Sequence, residues 1–128
     1  MPILNLTLQP GRLSVCQLPA DSALPAWAMS AAFVSITRTT EELSLVVPEA
    51  IAPADIKQEA GWRCLKVHGP LGFGLTGILA SILDPLAKAR ISVFAVSTFN
   101  TDYVLIKETN AEAAVDALRT SGHSVGIA

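Results

Sequence analysis

Only five residues, 98–102, separate two strand-like runs, ISVFAVS at 91–97 and YVLIK at 103–107. A parallel return between strands needs a crossover of about a dozen residues or more, so this pair must close as an antiparallel hairpin. Before it, Leu75, Ile78, Leu79, Ile82 and Leu86 recur at three- and four-residue steps, one face of a helix. Residues 62–67 precede that helix as a strand candidate, and Pro85, late in the helix, is expected to kink or restart it. After the hairpin, Asn110 is placed to cap a helix with an Ala111, Ala114, Val115, Leu118 stripe; Gly122 ends it, and 123–127 form a last strand. The predicted order, β-α-β-β-α-β, is the split βαβ arrangement of an α+β, ferredoxin-like fold.

The first half is less regular. Residues 4–8, 13–18, 33–37 and 43–47 read as strands, while 19–29, with two prolines, leave room for one or two helical turns. A hairpin around 39–42 echoes the one around 99–102, and 48–53 look like a linker. The expectation is two tandem units: an abbreviated one over 1–60 and a complete one over 61–128.

Composition narrows the function. Nine Lys and Arg against eleven Asp and Glu give a formal charge of −2, with aromatics at 5%. A groove that neutralises phosphates and stacks bases wants the opposite, so nucleic acid is not an expected partner. The N-terminus lacks the cationic, apolar and small-residue succession of a secretory signal, and the apolar run at 71–83 is too short to span a bilayer, so no membrane partner and a cytoplasmic location are expected. Cys16 and Cys64 lie far apart in strand-like runs and are expected to be buried free thiols; with only His68 and His123 besides, no spacing suggests a metal site.

Gly72, Gly74 and Gly77 spell G-x-G-x-x-G between a strand and a helix, the local context of a dinucleotide turn. Such a fold needs a parallel strand after the helix and an acid at its end; here the strand turns back as a hairpin, and Ser97-Thr98 stands where the acid belongs. No Lys follows Gly77, which excludes a Walker loop as well. Two uses of the glycines remain open. They let the chain turn tightly into the helix, or they expose backbone amides at a helix N-terminus, which bind a carboxylate as readily as a phosphate. In the second case a ligand's ammonium group needs an anion nearby. Asp102, at the foot of the hairpin, is the candidate, although it also suits a turn residue bonding its own backbone. His68 offers a base for catalysis but has no evident orienting acid, and an exposed histidine at a strand end accounts for it equally well.

At these residues the chain resembles a known family. PLGFGLTGI at 70–78, with ISVFAVSTFNTDYVLI at 91–106, is similar to ACT domains of the CASTOR type, found in small bacterial proteins and in cytosolic arginine sensors. FVSITRTTEELSLVV at 33–47 resembles the preceding half-domain, and S-T-F-x-T-D-Y is the specific part. The resemblance implies a ferredoxin-like regulatory domain that binds an amino acid between two ACT domains without chemistry. By position it implies ligand contacts at Gly72, Phe73, Leu75, Thr76, Gly77 and Ile78 in the loop, and at Ser97, Thr98 and Asp102 in the hairpin. The arginine sensors have an acid where this chain has Leu75, which favours a smaller or less charged ligand here. The expected protein is a non-catalytic, allosteric amino-acid sensor without cofactor or metal, a homodimer that acts on an unidentified protein target or buffers its ligand. The alternatives are a structural or dimerisation module with a vestigial site, and a small enzyme.

Overall fold

The computed structural model describes residues 2–128. In chain order its strands are β1 (Asn5–Leu8), β2 (Leu13–Leu18), β3 (Ser35–Arg38), β4 (Leu43–Pro48), β5 (Lys57–Val67), β6 (Val93–Ser97), β7 (Asp102–Lys107) and β8 (Ser124–Ile127). The helices are α1 (Ala26–Met29), α2 (Ile78–Lys88) and α3 (Ala111–Thr120). Contacts divide the chain into two compact units: residues up to Pro10 together with Arg63–Ala128, and Gly11–Trp62. The long β5 supplies its first part, through Trp62, to the second unit and its remainder to the first.

In the larger unit the strands run β6-β7-β5-β1-β8. The hairpin expected from the short link is β6 and β7, antiparallel with Val96 opposite Tyr103 and Ser97 opposite Asp102. A ferredoxin-like sheet sets its last strand beside its first, and here β1 is inserted between them. It runs antiparallel to β5 (Leu6 opposite Val67) and parallel to β8 (Leu6 opposite Val125). The first residues, expected with an N-terminal unit over 1–60, therefore belong with Arg63–Ala128. The physical reason is burial: Leu4, Leu6 and Leu8 point by strand alternation into a core with Leu65, Val67, Ile82, Leu86, Val104, Ile106 and Leu118. Full burial of each such leucine contributes roughly 1.5–3 kcal/mol.

Helix α2 runs unbroken through Pro85, where a kink or restart was expected. Proline lacks the N–H that would bond the carbonyl four residues back, that of Ser81. The buried His123 donates from Nε2 to that carbonyl at 2.8 Å, while its Nδ1 accepts the N–H of Leu4 at 3.1 Å. One imidazole thereby satisfies the carbonyl that the proline orphans and a backbone amide beside β1. Helix α3 begins at Ala111 as its apolar stripe predicts, but Asn110 makes no side-chain capping bond.

In the smaller unit the order is β3-β4-β2-β5, with every pair antiparallel. Strand, helix, hairpin, turn and strand follow as in the larger unit, with each helix cut to about one turn: α1 has four residues, and a three-residue 3-10 turn at Glu49–Ile51 stands where a second helix would be. That turn lies within the stretch expected as a linker. The core comprises Cys16, Ala28, Leu43, Leu45 and Val47. Strand β5 starts at Lys57, earlier than the 62 expected, because it continues through a register shift opposite Leu13 and Val15, where Ala60-Gly61 reads locally as a break. The architecture is α+β and ferredoxin-like, a complete unit and an abbreviated one.

Candidate ligand site

The segment between β5 and α2 is fixed against the turn of the β6–β7 hairpin. The Leu71 N–H donates to the Asn100 carbonyl at 2.6 Å, and the buried Thr101 hydroxyl donates to the Val67 carbonyl at 2.6 Å. Gly69 permits this approach: a Cβ there would stand 2.8 Å from the Asn100 carbonyl oxygen and 3.1 Å from Thr101 Cβ. The turn closes on itself, with the Thr98 N–H on the Thr101 carbonyl at 2.9 Å and the Thr98 hydroxyl on the same carbonyl at 3.1 Å. The Leu75 N–H then bonds the Gly72 carbonyl at 3.1 Å, turning the loop toward the helix.

Helix α2 opens on Gly77, whose φ of +74° is left-handed and strained for any side chain, and no side chain caps it. The first intrahelical bond from this end is Ser81 N–H to Gly77 carbonyl, so the amides of Ile78, Leu79 and Ala80 precede the ladder. They carry the positive end of the helix dipole, which favours an anion within the first turn.

Loop, helix start and hairpin turn border a pocket of about 180 Å³ that is open on its outer side. Drug-sized ligands occupy sites of roughly 300–1,000 Å³, so this one suits a metabolite of few heavy atoms and is small for a nucleotide. Of the residues singled out in the sequence, Gly72, Phe73, Leu75, Ile78, Ser97, Thr98 and Asp102 line it. Thr76 and Gly77 do not; Gly77 serves as the helix cap. Leu71, Phe99, Asn100 and Thr101 line it as well and were not singled out. Phe99 lies in the motif S-T-F-x-T-D-Y, the signal that could have found it. Asp102 is half-buried, and its Oδ1 accepts a 2.5 Å bond from the Ser97 hydroxyl across the hairpin, which orients the carboxylate and leaves Oδ2 for another donor.

His68 is exposed and lies outside the pocket, its Nε2 2.5 Å from the Thr7 hydroxyl. Cys16 and Cys64 are free and buried; burial pushes the Cys16 thiol up and the Cys64 thiol up to about 11, with Lys66 pulling the latter down in part. Among the described residues no cluster of His, Cys, Asp and Glu is arranged to hold a metal ion, and no helix is long and apolar enough to cross a membrane.

A family profile described as ACT domain matches residues 57–120, and another, described as an N-terminal domain, matches 11–55. The cytosolic arginine sensor for mTORC1 subunit 1 of Bos taurus is 34% identical over 97 residues, covering 67% of this chain and 30% of the sensor. The chain thus spans about 30% of the length of that relative. Among solved structures, a protein from Agobacterium tumefaciens is 39% identical with a TM-score of 0.94, over 100% of this chain and 96% of that one. The regulatory subunit of aspartate kinase from Thermus thermophilus is 14% identical with a TM-score of 0.61, over 91% and 96%, a likeness of fold alone. With its fold, its loop and hairpin motifs and a profile match over half its length, the chain belongs to the ACT-domain family and is of the CASTOR type.

Proposed function

We propose that this protein is a non-catalytic regulatory module that binds a free amino acid in the pocket between the α2 loop and the β6–β7 hairpin. The observation that carries this is one small cavity lined both by Ile78, the first residue of α2, and by Asp102 of the hairpin. The amides opening α2 receive the ligand carboxylate, and Asp102, held by Ser97, receives its ammonium group. A group of that size with a carboxylate and an ammonium on one carbon is an α-amino acid.

A relative named as a cytosolic arginine sensor supports a regulatory role. In this reading Asp102 serves as the anion facing the ligand's ammonium group, and the function is recognition. The protein acts in the cytoplasm as a homodimer: β6 and β8 are edge strands of the larger unit, and such edges need pairing or cover. The site lies near the dimer interface and reports occupancy allosterically to a protein partner. Calorimetric titration with each of the twenty standard amino acids tests binding, and light scattering with and without ligand tests the dimer. Binding of none of them leaves a structural module, the alternative assignment.

A further inference from the structure

We infer that the amino acid taken by this pocket has an uncharged, apolar side chain, and that Phe73 and Phe99 select it. This rests on the amino-acid assignment and concerns the part of the ligand which that assignment leaves open.

Asp102 is the one ionisable side chain among the described lining residues. Once it faces the ammonium group, a guanidinium or a second ammonium on the ligand has no acid to meet. A ligand carboxylate beyond the first has no cation to meet and feels the charge of Asp102. A charge taken from water without a partner is strongly disfavoured. Polar side chains are also in short supply. The Thr98 hydroxyl donates to the Thr101 carbonyl and the Thr101 hydroxyl to the Val67 carbonyl, so neither has its proton free for a ligand. The Ser97 hydroxyl is committed to Asp102.

Apart from the exposed Asn100, whose backbone carbonyl holds Leu71, what remains is an apolar wall: Leu71, Phe73, Leu75, Ile78 and Phe99. Its outer part is open to water, with Phe73 76%, Phe99 78% and Leu75 56% exposed. Phe73 comes from the loop and Phe99 from the hairpin turn, and their rings meet edge to face with centroids 5.0 Å apart and planes at 88°. Such a pair is favourable in itself, yet it leaves most of both rings hydrated. A ligand side chain seated against these rings removes apolar surface from water on both partners, which an ammonium, guanidinium or carboxylate does not. The rings thus join the two elements that hold the ligand's backbone and form the surface that reads its side chain.

The test is calorimetry with the full chain. Leucine, isoleucine, valine, methionine and phenylalanine form one set; arginine, lysine, aspartate and glutamate form the other. At least one apolar amino acid should bind ten times or more tighter than every charged one. Phe99→Ser and Phe73→Ser, both at exposed positions and checked for folding by circular dichroism, should each weaken the best apolar ligand about tenfold and alanine by threefold or less. A charged amino acid binding tightest overturns the inference while leaving the amino-acid assignment intact. So does an unchanged preference in both serine variants. If none of the twenty binds, the assignment itself fails and the inference fails with it.

Discussion

The Nε2 of His123 lies 2.8 Å from the carbonyl of Ser81, the oxygen that Pro85 leaves without its helical donor. Proline and histidine are complementary here: the first removes an N–H and the second replaces it from β8's flank. The same ring accepts the Leu4 N–H, so it ties α2 to the chain entering β1.

His123→Leu should therefore leave two buried backbone groups unpaired, at about 1–3 kcal/mol each, and lower stability by roughly 2–6 kcal/mol in total. The sharper measurement is a double-mutant cycle by urea denaturation. With Pro85→Ala, residue 85 regains an N–H that reaches Ser81, so His123→Leu should cost about 1 kcal/mol less in that background. An equal cost in both backgrounds means that the histidine does not serve the orphaned carbonyl.

The loop glycines should differ sharply in tolerance. Gly69→Ala sets a methyl 2.8 Å from a carbonyl oxygen, which displaces the loop from the hairpin, strains the Leu71–Asn100 bond and costs about 1–3 kcal/mol. A Cβ at Gly74 meets nothing within 4 Å, so Gly74→Ala should stay within about 0.5 kcal/mol of the parent. Thermal unfolding of the two variants compares them directly. Equal melting temperatures would mean that the loop does not need its close seat on Asn100.

The thiols give a pH dependence with a definite sign. Burial raises Cys64 to about 11, above the ~8.5 of an unfolded cysteine, and raises Cys16 as well, against the opposing effect of its hydrogen bond with Ser14. The folded state holds these protons more tightly, so their contribution is intact below pH ~8.5 and is lost as pH climbs through the folded value. Cys64→Ala should make the decline in denaturant midpoint between about pH 8.5 and 11 shallower than in the parent. At pH 8 iodoacetamide should label neither thiol until denaturant is added. Rapid native-state labelling at Cys64 would contradict its burial.

The β6–β7 hairpin and α3 were legible in the chain because local rules decide them: a link too short for a crossover, and an apolar stripe with helical spacing. The place of β1 was not. Its partners lie at Leu65–Val67 and Ser124–Ile127, and nothing in Asn5–Leu8 itself encodes a pairing across that separation. The continuity of α2 was hidden for the same reason, since what compensates Pro85 is a histidine thirty-eight residues on. In the pocket, the residues singled out belonged to motifs. Asn100 and Thr101 went unnoticed because they act by a backbone carbonyl and a buried hydroxyl aimed at backbone, roles that residue type alone does not announce. Gly69 lies outside the G-x-G-x-x-G pattern, yet it is the glycine whose neighbours leave no room for a side chain.

Under the proposed assignment Asp102 carries the ammonium group, and the informative change is to asparagine. Asn retains an Oδ1 that accepts the Ser97 hydroxyl, so the hairpin keeps its cross-strand bond while the charge disappears. A charge-assisted contact is worth roughly 1.5–3 kcal/mol, so Asp102→Asn should weaken amino-acid binding about ten- to a hundredfold with little change in melting temperature. Asp102→Ala loses the bond and the charge together and should lower both affinity and stability. Leu75→Glu provides the complementary test, placing a carboxylate on the wall that is apolar in the parent. That acid should improve arginine binding about tenfold and weaken apolar ligands, as expected if the ligand side chain passes Leu75. If Asp102→Asn binds as tightly as the parent while Asp102→Ala merely melts lower, the aspartate only braces its turn and the ammonium group is held elsewhere.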